Sequence, residues 1–132
     1  MIRRPPRSTQ SRSSAASDVY KRQPITCYPR FDFLICASNQ LVNHLDKIEY
    51  MSKGSMKPRV IIRTSIGPKT PLDGGPQHTA DYTDVFKKML TNINVVSLVE
   101  PEDIFPAFEE ALVGDDFHAT LLIENGGFYN DK

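Results

Sequence analysis

Arg59-Val60-Ile61-Ile62-Arg63-Thr64 constrains this chain more than any other stretch. Its centre is apolar and β-branched, and Pro58 before it and Gly67 after it cut it to strand length. A short unbroken run of this kind reads as a strand buried on both faces, the place strands take inside parallel sheets.

The flanking segments agree with that reading. Upstream, Phe33, Ala37, Leu41, Leu45 and Ile48 recur at intervals of four, four, four and three, which is one face of an amphipathic helix over about residues 32–50. Asp32 near its start suits the positive end of the helix dipole, and Gly54 lies just past its end. Downstream, residues 65–78 contain Gly67, Pro68, Pro71, Gly74, Gly75 and Pro76. That density excludes regular structure and predicts an extended loop, of a length usually kept for function or left disordered. Helical character returns over residues 79–90, with Tyr82, Val85, Phe86 and Met89 on one side and Asp81 and Asp84 in the early turns. Residues 94–98 read as strand, 101–112 as helix and 119–124 as strand. Pro101 suits a first helical position, whereas Pro106, one turn further in, would distort the helix.

After the long helix the order is strand, helix, strand, helix, strand. This alternation predicts an α/β fold, a partial parallel sheet with right-handed crossover helices. Ligands in such sheets gather beyond the carboxyl ends of strands, and the loop over residues 65–78 leaves such an end.

The 132 residues form one domain by length, provided all of them fold. The first 23 do not read as foldable. They carry Arg3, Arg4, Arg7, Arg12, Lys21 and Arg22 against the single acid Asp18, with many serines and almost no large apolar side chains. An Arg-rich, Ser-rich, acid-poor leader also fits a mitochondrial transit peptide, but Pro5 and Pro6 break any early amphipathic helix. A nucleic-acid-binding arm would need interleaved aromatics, and only Tyr20 is present. The string better resembles translated sequencing-library adapter, so residues 1–23 are expected to be a disordered leader of artefactual origin and residues 24–132 the folded body.

Subtracting the leader from the totals of 16 basic and 16 acidic residues leaves a mildly acidic body with 10 basic and 15 acidic residues. Neither part suggests a nucleic-acid partner. The longest apolar run is far short of the roughly 20 residues that cross a bilayer, so no membrane partner is expected either. Cys27 and Cys36 have no CxxC spacing and no histidine at a metal-ligand interval, which predicts free thiols in a reducing compartment.

The residues able to carry chemistry are few. His78 follows Gly74-Gly75-Pro76-Gln77 and precedes a helix, on a loop where glycine lets a ligand approach. The competing reading is a plain surface residue at a helix start. His44 beside the apolar stripe and His118 in a connecting loop read as structural. Arg63 and Thr64 end a strand and suit an anion, although an arginine there more often makes an ion pair. No P-loop, GxGxxG, GxSxG or HExxH motif is present.

Four segments in order carry more: YPRFDFLICASNQLVNHLDKIEYMSKG, VIIRTSIG, GGPQHTADYTDVF and INVVSLVEPEDIFPAFEEAL. Together they cover nearly all of residues 28–124 and resemble the beta subunits of thiamine-diphosphate-dependent 2-oxo acid dehydrogenases of the pyruvate or branched-chain type. In that family a helix has an aromatic-rich start and a D/N-Q-hydrophobic-x-N core, a strand ends in I-R-x-x-x-G, and a histidine follows Gln before Ser or Thr.

The resemblance implies a transketolase-like pyrimidine-binding domain. Paired with an alpha subunit in a heterotetramer, it would hold the aminopyrimidine half of thiamine diphosphate while the partner holds the diphosphate and its divalent metal. The assembly would serve a dihydrolipoyl acyltransferase core. By position, Phe33 would contact the aminopyrimidine ring with Phe31 close by, and His78 would be the active-site histidine that orients substrate or moves a proton.

The chain departs from the family in three ways. The glutamate that activates the cofactor lies upstream of the aromatic-rich segment, and its motif is not found. The carboxy-terminal domain does not follow. Asp115-Asp116-Phe117-His118 does not reproduce the Asp-x-Asn stretch of the family's monovalent-cation site, so no metal is assigned to this chain. The expectation is a fragment not competent alone. Alternatives are a transketolase or deoxyxylulose-phosphate synthase fragment, which shares the fold, or a non-catalytic interaction domain. The specific 2-oxo acid and the compartment, bacterial cytoplasm or mitochondrial matrix, stay open.

Overall fold

The computed structural model describes residues 23–114 and 119–130. The expected leader through residue 22, and the 115–118 stretch weighed as a cation site and carrying His118, lie outside the described residues.

Four strands, β1 (Ile25–Tyr28), β2 (Val60–Ile66), β3 (Ile93–Ser97) and β4 (Ala119–Asn125), pair wholly in parallel in the order β1-β2-β4-β3. The inner pair, β2 and β4, runs in register from Val60 opposite Ala119 to Ile66 opposite Asn125. Almost every residue of both is buried, which is why the β-branched run showed no polar alternation. Edge strand β1 is half exposed and too short to show a pattern; sequence reading missed it. Gln23, set with the leader in the sequence, donates from Nε2 to Ala111 O at 2.9 Å, and Pro24 O accepts from Ile61 N.

The connections explain the layers. From β1 to β2 and from β2 to β3 the chain steps in one direction across the sheet, and from β3 to β4 it steps back. Crossovers of one hand must then put the last helix on the opposite face. On one face, α1 (Phe31–Ile35), α2 (Gln40–Leu45) and α5 (Thr83–Met89) pack Phe31, Leu34, Leu41 and Phe86 onto Ile62, Leu121 and Ile123. On the other, α6 (Ile104–Val113) sets Ala107, Phe108 and Ala111 against Ile61 and Leu122. Phe31, 1% exposed, packs edge-on to Tyr82 and obliquely to Phe86, their ring centroids 5.6 and 5.4 Å away. Burying a side chain of this size contributes roughly 1.5–3 kcal/mol.

The helix expected over residues 32–50 is instead three pieces: α1, α2 and α3 (Ile48–Met51). Its buried stripe is Phe31, Leu34 and Leu41, whereas Phe33 is 48% exposed. A spacing of four drifts about 40° per step around a helix of 3.6 residues per turn, so counting back in fours from Leu45 leaves the core face before reaching Phe33. The α2 turn is wound wide, with Asp46 N donating to Leu41 O five residues back. That extra residue turns the Asp46 side chain inward, fully buried.

The Asp46 carboxylate accepts from Thr91 N, Asn92 N and Ile93 N, and from Thr91 Oγ1, while its own carbonyl accepts from Asn92 Nδ2. It thereby fastens the turn between α5 and β3. Burial opposes its ionisation, but Lys47 and these donors outweigh burial and hold its carboxyl below the usual range.

The helix expected over residues 79–90 begins only at Thr83, where Asp81 Oδ1 accepts from Thr83 N at 2.8 Å, and the single turn α4 (Pro76–Thr79), which carries His78, falls at the end of the stretch expected to hold no regular structure. Phe86 is buried, while Val85 and Met89 of the expected face are exposed. Ahead of α6, a 3₁₀ turn at Pro101–Asp103 lets the α-helix begin at Ile104. Pro106 therefore sits in its first turn, where no amide donor is needed and no distortion follows.

Candidate functional site

The carboxyl ends of β1 and β2 lie side by side, and the loops leaving them meet. Gly67, just past β2, donates its N–H to His78 O at 3.0 Å. A Cβ on Gly67 would lie 2.2 Å from that oxygen, so only glycine allows the approach. Gly75 takes φ +84° to start α4, and a Cβ on Gly74 would press on the His78 Cβ at 3.0 Å. The glycine density that excluded regular structure in the sequence thus bends the chain back to hold one histidine against the end of β2.

From the β1 side, Ser65 Oγ donates to Pro29 O at 2.7 Å and Arg30 Nη1 donates to the same carbonyl at 3.1 Å. This ties the start of α1 to the β2 end. The first turn of α1 then presents two side chains to His78. The Phe33 ring lies with its centroid 6.2 Å from the imidazole, tilted by 36°, and Asp32 Oδ2 lies 3.1 Å from His78 Nδ1. Neither Nδ1 nor Asp32 Oδ1 has a hydrogen-bond partner, so the charged oxygen and the ring nitrogen are close without being aligned.

An exposed aromatic face, an imidazole and a carboxylate at one carboxyl edge can stack a flat ring and move a proton beside it. Of the residues expected at a site, Phe33 and His78 come together. Phe31 does not: its ring belongs to the core, where Tyr82 and Phe86 enclose it. This corrects the expectation that it contacts a cofactor alongside Phe33, because positions two apart on a helix point about 200° apart and the two rings face opposite environments. His44 is exposed on α2.

Arg63, weighed as an anion ligand, is committed to Glu124: Nε lies 2.6 Å from Oε1 and Nη2 3.0 Å from Oε2. The guanidinium also sits 5.8 Å from the Phe108 ring centroid. Burial works against the Glu124 charge, yet Arg63 and the Tyr129 hydroxyl hold its carboxyl below the usual range. Burial and then the Glu124 carboxylate push the Tyr129 phenol up to about 12. Thr64 points its hydroxyl into the core without a partner.

Sequence reasoning took Asp32 for a dipole residue and passed over Asp46 and Glu124. The available signal for Glu124 was an acid closing a buried strand, which requires a counter-charge. Among the described residues, no three His, Cys, Asp or Glu side chains gather as a metal-binding set. No described helix is long and apolar enough to cross a membrane. The chain matches no family model and no curated protein.

Proposed function

We propose that this chain is part of the transketolase-like pyrimidine-binding domain of the beta subunit of a thiamine-diphosphate-dependent 2-oxo acid dehydrogenase. The substrate class is a 2-oxo acid such as pyruvate or a branched-chain 2-oxo acid, decarboxylated oxidatively. The site is completed by an alpha subunit, which holds the diphosphate and a divalent metal, and the product passes to a dihydrolipoyl acyltransferase core.

The observation that supports this reading is the meeting of Phe33 and His78. They are far apart in the chain and were singled out by separate motifs, yet they face each other at the carboxyl edge of a parallel sheet. Phe33 keeps 48% of its surface open, which suits a flat heteroaromatic ring such as the aminopyrimidine. When bound, thiamine diphosphate supplies the electron sink for carbon–carbon cleavage. This chain's share is placement and proton handling: Phe33 stacks the ring, Phe31 anchors the turn that carries Phe33, and His78 gives or takes a proton at the reacting centre.

Half of the cofactor's contacts lie elsewhere on this reading, so the isolated chain binds thiamine diphosphate with a Kd of about 1–10 mM. Titration followed by NMR should give saturable shifts at the Phe33 and His78 rings, lost in Phe33→Ala. Tight stoichiometric binding by calorimetry, or millimolar ligand leaving both rings unmoved, would remove the reading.

A further inference from the structure

We propose that Asp32 is the positioning residue of His78, fixing the imidazole as its Nδ1–H tautomer so that Nε2 is the nitrogen that exchanges protons with substrate. The tautomer rests on the 3.1 Å approach of Asp32 to Nδ1; the role of Nε2 rests on the function proposed above.

Asp32 Oδ2 is 3.1 Å from Nδ1, whereas the other carboxylate oxygen, Oδ1, is buried with no partner. Among the described residues, His78 is the one proton-bearing side chain set against this carboxylate in an ion-pair contact. A shielded carboxylate with one orphaned oxygen gains most from a donor at the other, and a donor to a charged acceptor makes the stronger kind of hydrogen bond. Nδ1 is itself buried although 41% of the His78 side chain is exposed, so the open surface belongs to the rest of the ring. Water cannot compete for Nδ1, and the ring's far edge is the one a ligand meets.

The frame keeps this arrangement in place. Gly67 pins the His78 backbone at 3.0 Å, and the short α1 carries Asp32 next to Phe33, so the group that sets the tautomer and the group that stacks a ring move together. The pair lies at hydrogen-bond distance but is not aligned, and catalytic hydrogen bonds often tighten when ligand binds. In a turnover, Nε2 takes a proton at the reacting centre and the imidazolium is neutralised by the Asp32 carboxylate; return of that proton from Nε2 restores the neutral ring.

The test is a multiple-bond nitrogen–proton NMR spectrum of the labelled 132-residue chain at about pH 8, where an ordinary histidine is neutral. His78 should show the Nδ1–H pattern. In Asp32→Asn the tautomer ratio should move at least about tenfold toward Nε2–H, while the exposed His44 stays unchanged. Asp32→Ala should repeat the shift, and Asp32→Glu should restore part of the Nδ1–H population. A wild-type His78 already in the Nε2–H form overturns the inference whether or not the variants fold. So does a ratio unchanged in folded Asp32→Asn and Asp32→Ala. This readout involves no cofactor, so it can succeed where the thiamine diphosphate titration fails, and the reverse.

Discussion

At the scale of single residues, the structure depends on a few close contacts that tolerate no substitute. Gly67 is the sharpest: Gly67→Ala puts a methyl group on the His78 carbonyl, and forcing the two apart should cost roughly 1–3 kcal/mol. Denaturant unfolding measures the cost, and loss of the Phe33–His78 ring contact in NMR would show that the site opens with it. Asp46 is the other. Asp46→Ala leaves three backbone N–H groups of the α5–β3 turn without their acceptor, and a loss of about 2–4 kcal/mol is expected. A change below about 0.5 kcal/mol would mean that water replaces the carboxylate.

At the scale of elements, the lesson of Pro106 can be checked by sign. A proline inside a helix gives way to alanine with a gain of about 3 kcal/mol, whereas one in the first turn gives way with a cost under about 1 kcal/mol. Pro106→Ala should therefore be slightly destabilising in thermal unfolding, and a clear gain would place the helix start at Pro101. The same elements show how much could be read from residues alone. The β2 and β4 strands and the existence of α5 and α6 were legible because burial imposes composition on them. The breaks were not. The wide turn of α2 is fixed by where the Asp46 carboxylate must go, a contact with Thr91, Asn92 and Ile93 that no local spacing encodes. The site was half legible: His78 stood out by its glycines and Phe33 by its motif. Phe31 misled because residues two apart in sequence lie on opposite sides of a helix, and Asp32 gained its partner only through the fold.

For the whole molecule, the two buried carboxylates and the Tyr129 phenol set a pH window. Asp46 and Glu124 have lowered values in the fold, so their contribution is full above the ordinary carboxylate range and is lost as pH falls through the lowered values. Tyr129 is raised to about 12 from 10.0, so its contribution is full below the ordinary phenol value and is lost as pH rises toward about 12. Unfolding free energy should accordingly plateau between those limits and fall on both sides. In Tyr129→Phe the alkaline fall should shrink while the acid limb, still carried by Asp46, remains; an unchanged alkaline limb would detach Tyr129 from it.

The sheet order has a consequence for how the molecule is assembled in time. The last of the four described strands in chain order, β4, occupies a central slot, flanked by β2 and β3, which both precede it. Until residues 119–125 emerge, those two strands have no shared neighbour, and the core lacks Ala119, Leu121 and Ile123. The sheet is therefore closed by the insertion of a keystone, a long-range pairing of the kind that makes folding slow. A nascent chain arrested before residue 119 should expose β2 and bind chaperones, and extension through residues 119–125 should convert it to the protease-resistant form in one step.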